Sequence, residues 1–177
     1  MNAHSALLPM RALLLGVTAV AAPLASMATS LEERPLQDEA AADTEIVRRA
    51  FAAWAAGTGG PYQLLDEDAR WTIVGRSAAA GVYPDRESFM REVIRPFNAR
   101  MREPLKPTIR RIFQSGDTVI VFFDARGLAH DGIPYENTYT WYLTMRDGRI
   151  AASVAFFDSI AFDELWRRVP PAAGSAR

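Results

Sequence analysis

The chain of 177 residues has no cysteine and only two histidines, His4 and His130. Without cysteine, disulfides, thiolate chemistry and the lipoprotein route of export are excluded. His130 lies in a predicted turn beside Asp131, which is typical of a solvated loop histidine, and the acidic residues lack the spacing of a zinc site. No glycine-rich phosphate loop follows a predicted strand. The sequence therefore predicts no metal and no cofactor, and leaves cofactor-free chemistry or plain binding.

The chain also lacks a large excess of charge of either sign, since 20 basic and 21 acidic residues give a formal net charge of −1. Its basic run from Arg91 to Arg102 is interleaved with Glu92, Pro96 and Phe97. That pattern is typical of the solvated face of a helix. We expect no binding to nucleic acid.

The N-terminus carries one long uncharged stretch, from Ala12 to Ser30, preceded by Arg11. The small residues Ser26 and Ala28 stand before a cut after Ala28, so residues 1–28 are predicted to be a secretory signal peptide. The predicted location is exported, either periplasmic or secreted, with no stable membrane insertion after cleavage. An uncleaved membrane anchor is the alternative, because about 20 apolar residues span a bilayer.

After the signal segment we expect a linker or frayed helical lead-in over residues 29–42, one domain over residues 43–169 and a disordered tail over residues 170–177. Two stretches have helical spacing of apolar residues, the first ending near Trp54 and the second near Phe97. A short strand is predicted at 71–74, a long loop at 75–84, and strands from Pro107 onward. Their turns are Gly116-Asp117, His130 to Pro134 and Asp147-Gly148.

Helices followed by a run of hairpin-linked strands indicate an α+β domain, in which helices cover one face of a curved antiparallel sheet. The last strand ends at Asp158, and a closing helix is expected directly after it. An acidic residue in that position either caps the helix or takes part in chemistry.

Several short motifs in a fixed order resemble the SnoaL-like branch of the nuclear transport factor 2-like superfamily, over roughly Thr44 to Arg168. They are Trp71 with Gly75, Gly81-Val82-Tyr83 before Arg86-Glu87, Gly116 to Val119, Tyr135 to Tyr139, Arg146 to Ile150, and Phe156-Phe157-Asp158. The resemblance implies a cone-shaped domain with a deep apolar pocket, usually dimeric through the outer sheet face. The superfamily includes isomerases, cyclases, epoxide hydrolases, dehydratases and non-catalytic binding modules, so the site must decide the function.

Two catalytic members of that superfamily match the chain only in part. Ketosteroid isomerase carries its oxyanion-stabilising tyrosine where this chain has Phe51, and its general base near Ile73. Limonene epoxide hydrolase resembles the chain more closely from Gly116 to Trp166, and its water-activating aspartate matches Asp158. Its tyrosine and asparagine are replaced here by Trp71 and Ile73. The resemblance thus implies a base at Asp158 without the expected partners.

The predicted catalytic residues are Asp158 as general base, Asp124 as its acid partner or orienter, and Arg126 as an electrostatic tuner. The predicted ligand-binding residues are Trp71, Asn137, Tyr139, Trp141 and Phe156. Alternatives stay open for each group. The alternatives are that Asp158 only caps the last helix, that Asp124 and Arg126 form a cross-strand ion pair, and that Tyr139 and Trp141 are ordinary core.

The functional prediction is an exported domain that binds a small, largely apolar molecule in a conical pocket. Cofactor-independent acid–base chemistry at Asp158, such as isomerisation, hydration or cyclisation, is the catalytic form of this hypothesis. A non-catalytic ligand-binding module and a dimeric interaction module are the alternatives. The expected partners are a small apolar ligand and a second copy of the chain.

Overall fold

The computed structural model describes residues 24–170, with side chains described from residue 40. The predicted signal peptide, apart from its last residues, and the predicted tail after residue 170 lie outside this range. The first helix, α1, covers Leu24–Ala56 and is followed by a short 3₁₀ turn at Pro61–Leu64. The backbone is therefore helical through residues 29–42. Among the described residues, no helix has the length and apolar character needed to cross a bilayer.

Six strands and three further helices make up the rest of the domain. The strands are β1 (Leu65–Ile73), β2 (Gly81–Tyr83), β3 (Met101–Ser115), β4 (Thr118–Ala129), β5 (Pro134–Arg146) and β6 (Arg149–Phe157). Between β2 and β3 runs a continuous helical stretch of α2 (Arg86–Phe89), a π-helical turn (Met90–Ile94) and α3 (Arg95–Asn98). The closing helix, α4, covers Ser159–Arg168.

The strands form one open, curved sheet in the order β2-β1-β6-β5-β4-β3. The α+β class is confirmed, but the sheet is mixed rather than wholly antiparallel, because β1 pairs with β6 in parallel. The reason is topological. The chain leaves β1, passes through β2 and the helical stretch, and returns to the side of β1 only with the last strand of the meander.

The third strand begins earlier than its sequence indicated, at Met101 rather than after Pro107, and runs through both Pro104 and Pro107. It is an edge strand that pairs only with β4. A proline in an edge strand can place its missing N–H on the unpaired side, so it does not end the strand. The predicted loop 75–84 likewise contains the short strand β2, which pairs with β1.

Gly127 in β4 lies where β3 approaches its neighbour most closely. A Cβ atom added there would stand 2.6 Å from the Met101 Cε atom and 2.9 Å from the Glu103 carbonyl oxygen. The second of these atoms belongs to the backbone and cannot move aside cheaply. Glycine at this position therefore allows the first residues of β3 to lie against β4.

The core lies between α1 and the inner face of the sheet. Inward and outward residues alternate along β4, with Val119, Val121 and Phe123 fully buried. From α1, Phe51 meets Phe123 edge to face at 4.9 Å between ring centroids, and Trp54 stacks on Trp141 at 5.7 Å. Such aromatic pairs add about 0.5–1.5 kcal/mol each beyond the area they bury.

Candidate functional site

The sheet separates the predicted site residues into two groups. Trp71, Tyr139 and Trp141 lie on its inner face and line a cavity. Asp124, Arg126 and Asp158 line an open groove of about 560 Å³ on the outer side. The aromatic residues and the carboxylates that were predicted to form one site therefore do not meet.

The inner cavity has a volume of about 50 Å³ and is bounded by helical residues on one side and by the sheet on the other. None of its walls carries a charged side chain. The walls are Trp54, Tyr62, Trp71, Ile73, Phe89, Val93, Ile94, Phe97, Leu105, Tyr139, Trp141, Ala155, Phe157 and Phe162.

The aromatic walls of this cavity are held by one another. Trp71 stacks on Phe89 at 4.3 Å between ring centroids, with the ring planes only 9° apart. Trp141 meets Trp71 edge to face at 5.1 Å. Trp71 is 1% exposed and Trp141 4%, so both rings are held by packing except where they face the cavity.

A wider cleft of about 390 Å³ lies next to the cavity, and we call it the mouth cleft. It shares five walls with the cavity, namely Trp54, Tyr62, Ile94, Phe97 and Leu105. Its remaining walls come from Gly59 in the loop after α1, from the end of the second helical stretch and from the start of β3. The cavity and the mouth cleft thus form one apolar recess that narrows inward.

The polar groups that line the inner cavity carry no charge. The Trp71 Nε1–H is buried and has no hydrogen-bond partner among the described residues. The Tyr139 and Tyr135 hydroxyls are 2.9 Å apart and hydrogen-bonded. Burial raises the pKa of Tyr62 and of Tyr139 well above the ordinary tyrosine value, so both phenols stay protonated at neutral pH.

Asn137, predicted to bind ligand, is engaged on both sides of its amide. Its Nδ2 donates to the Tyr135 hydroxyl at 2.8 Å and to the Asp158 carbonyl at 2.9 Å. Its Oδ1 accepts from the backbone N–H groups of Thr138 and Asp158 at 2.7 and 3.0 Å. This buried side chain therefore joins β5 to the start of α4, and its hydrogen-bonding capacity is used within the protein.

The outer groove contains two ion pairs formed by the predicted catalytic residues. Arg110 donates to Asp124 at 2.6 Å, and Arg126 pairs with Glu136 at 3.1 Å. A hydrogen bond from the Thr138 hydroxyl, at 2.7 Å, and the bond from Arg110 lower the pKa of Asp124. Asp124 is therefore ionised at neutral pH, which opposes its predicted role as an acid. Asp124 thus forms an ion pair, as the alternative interpretation expected, but its partner is Arg110 and not Arg126.

Asp158 is the N-cap of α4, where its Oδ1 accepts from the Ile160 backbone N–H at 2.9 Å. It is exposed and faces the outer groove. Phe156, predicted to line the pocket with it, is 56% exposed on the outer face, and that placement corrects the prediction. The cause is strand alternation, because Phe157 points inward and its neighbours on either side point outward.

The sequence did not indicate that Tyr62 and the second helical stretch would form cavity walls. The apolar stripe of Phe89, Val93, Ile94 and Phe97 was visible as one face of a helix. A stripe of this kind cannot show whether it meets a tight core or an opening. Only the position of that face across from Trp71 and Trp141 makes it part of the recess.

We expect the native protein to resist ionisation of its tyrosines at high pH. Burial raises the pKa of Tyr135 to about 12, and those of Tyr62, Tyr83 and Tyr139 also lie above the usual 10.0. These groups titrate more easily when unfolded. Their contribution to stability is therefore complete below pH 10 and is lost as pH rises through the native pKa values, by up to about 1.4 kcal/mol per pH unit for each tyrosine.

Tyrosinate absorbance near 295 nm, followed from pH 9 to 12 with and without urea, measures this difference. The exposed Tyr142 provides the control, through a Tyr142→Phe variant that keeps the delayed titration of the buried set. Coincident native and urea curves would contradict the expected burial.

Comparison with known proteins gives a consistent assignment. The model of the SnoaL-like domain family matches residues 47–153. A protein from a soil-derived mobile gene cassette is 27% identical, with a TM-score of 0.60, over 73% of this chain and 99% of that one. An NTF2-like protein from Burkholderia thailandensis is 20% identical, with a TM-score of 0.58, over 70% of this chain and 95% of that one.

A third solved structure, TerC co-crystallised with polyporic acid, is 20% identical with a TM-score of 0.56, over 70% of this chain and 97% of that one. No curated protein matches the chain significantly. These likenesses agree with the fold described above. The family model covers more than half of the chain, and the chain therefore belongs to the SnoaL-like domain family within the NTF2-like superfamily.

Proposed function

We propose that this protein binds a small, largely apolar molecule in the recess formed by the cavity and the mouth cleft. The observation that supports it is the chemistry of the cavity walls, which are aromatic and aliphatic with only neutral hydrogen-bond donors. A charged group placed there would lose its hydration without gaining a partner. A neutral ring or hydrocarbon, by contrast, would release water from both surfaces.

The volumes of the mouth cleft and the cavity fit a ligand whose main part lies in the cleft and whose smaller part enters the cavity. Small-molecule pockets usually measure about 300–1,000 Å³. The mouth cleft, at about 390 Å³, is within that range, whereas the cavity of about 50 Å³ holds no more than a small substituent. A single acceptor oxygen on such a substituent would give the unpaired Trp71 Nε1–H a partner.

The SnoaL-like fold is compatible with ligand binding and with cyclase or isomerase activity, so the site geometry must choose between them. We favour binding without turnover. Acid–base chemistry at Asp158, whether isomerisation, hydration or cyclisation, needs the carboxylate beside the substrate, and the recess contains no carboxylate. Asp158 and Asp124 face the outer groove, where one caps a helix and the other is ion-paired.

We further propose a homodimer through the outer face of the sheet. Partner positions on neighbouring strands place Phe113, Ile120, Tyr142, Val154 and Val82 in one row across the sheet, interrupted only by Thr72. Four of these five apolar side chains are at least 42% exposed. A row of this kind is typical of a surface that is covered by another protein, and a second copy presents a matching row.

Export is a proposal that rests on the N-terminal sequence alone. The combination of Arg11, an uncharged stretch and small residues before position 29 supports cleavage by a signal peptidase. N-terminal sequencing of protein made with the full leader tests it. A mature chain that still begins at Met1 would overturn it.

Calorimetric titration with 2-acetylnaphthalene, a neutral aromatic ketone, tests binding in the recess. Trp54 lines both the cavity and the mouth cleft, so Trp54→Ala should weaken binding about tenfold or more, as expected from losing an aromatic contact of about 1–3 kcal/mol. Phe156→Ala, on the outer face and outside the proposed dimer row, is the matched control and should bind like the parent protein. Equal effects of the two substitutions would place the ligand outside the recess.

The two roles considered for Asp158 are separated by a pair of substitutions. Asparagine caps helices as well as aspartate does, whereas alanine loses about 1 kcal/mol. We expect Asp158→Asn to unfold in urea like the parent protein and Asp158→Ala to be less stable by that amount, both with unchanged affinity for 2-acetylnaphthalene. Glu164→Ala, exposed in the same helix, controls for helix content. Loss of ligand affinity in Asp158→Asn would contradict the capping role.

The proposed dimer is tested by light scattering. The parent protein should have twice the chain mass, and Val154→Lys, in the middle of the row, should have the chain mass because a lysine there would be buried without a partner. Ile160→Lys changes an apolar residue that is 78% exposed on α4 and outside the row, so it should stay dimeric. A dimer that survives Val154→Lys would mean that another surface is used.

A further inference from the structure

The mouth cleft has one charged wall residue, Arg102, and no acidic one. Arg102 is exposed and is the second residue of β3. Its guanidinium forms no ion pair with any described residue. The neighbouring Glu103 does not line the cleft. An arginine without a counter-ion therefore stands at the rim of an otherwise apolar recess.

The surroundings of Arg102 suit one kind of ligand group. Asn98 is its polar neighbour in the cleft wall, and Met101, Pro104 and Leu105 supply apolar surface beside it. Arginine commonly lays its aliphatic stem along such surface and keeps the charged head in water. The guanidinium also presents donors in a fork that matches the two oxygens of a carboxylate.

Arg100, two residues earlier in the chain, does not supply a second cation to the cleft. Its guanidinium lies 3.7 Å over the Trp166 ring and its Nη1 donates to the Pro96 carbonyl at 2.7 Å. It is buried and is absent from the cleft walls. The charge of the rim is thus set by Arg102 alone among the described residues.

We propose that the ligand of this recess is a small amphiphilic anion, with an apolar body in the recess and one carboxylate at the rim against Arg102. This inference rests on the proposed function and adds the charge of the ligand to it. The cavity accepts no charge, because its walls are neutral and dry, so the carboxylate is confined to the wet end. The ligand therefore lies with its apolar end toward Trp71 and its carboxylate toward solvent.

Titration calorimetry with two ligands of the same ring system tests the charge. The probes are 2-naphthoate, which is anionic, and 2-acetylnaphthalene, which is neutral. The parent protein should bind 2-naphthoate about two- to fivefold more tightly, a modest preference because the ion pair is exposed and screened by salt. Arg102→Gln should abolish the preference and leave the affinity for 2-acetylnaphthalene unchanged. Arg102→Lys should keep part of it.

Arg111→Gln provides the matched control, because Arg111 is an exposed arginine of the same strand and does not line the cleft. It should retain the full preference. Equal affinities of the parent protein for both probes, or a preference that survives Arg102→Gln, would overturn the anionic ligand and leave binding in the recess intact. Failure of both probes to bind, or binding that Trp54→Ala does not weaken, would overturn the proposed function itself.

Discussion

The contact between α1 and the sheet, made by the rings of Phe51, Trp54, Phe123 and Trp141, determines most of the other features of the domain. Phe51 and Phe123 are fully buried, and each meets Trp141 edge to face. Rings in such arrangements leave little freedom to rotate or slide. The helix is therefore held at one height above the sheet. The recess is the space beyond the last of these rings, where the second helical stretch replaces α1 as the covering layer.

The alternation of side chains along the strands then decides which residues can meet. In β6 the same rule that brings Phe157 to the cavity sends Phe156 and Asp158 to the opposite side. The cavity walls thus present only neutral polar groups, whereas Asp124 and Asp158 lie on the outer side of the sheet. The walls of the recess contain no carboxylate, and recognition of an apolar body needs none.

Much of this architecture could be predicted from the sequence, because helices and hairpins leave local signals. The Asp147-Gly148 pair is a good example, since both residues have positive φ, at 52° and 71°, as the predicted two-residue hairpin requires. The face of each strand was harder to predict. Phe113, Tyr142, Val154 and Phe156 make the outer face nearly as apolar as the inner one, so periodicity could not say which side Asp158 would join.

The parallel pairing of β1 with β6 and the walls supplied by Tyr62 and Phe89 depend on contacts between distant parts of the chain. No local sequence pattern indicates this strand pairing or these cavity walls. The family resemblance implied an apolar pocket. The shape of that pocket depends on the separation between the second helical stretch and Trp71. The position of Arg102 at the rim likewise results from where β3 begins, six residues before the predicted start at Pro107.

The close approach at Gly127 gives the recess a fixed aperture. The residues held against it, Met101 to Leu105, include the strand side of the mouth cleft and carry Arg102 between them. A hydrogen atom in place of a methyl group at Gly127 therefore lets the part of β3 that carries Arg102 lie against β4. When one fold serves many ligands, a single substitution at such a position would change the size of the molecule that enters the recess. No residue that contacts the molecule would need to change.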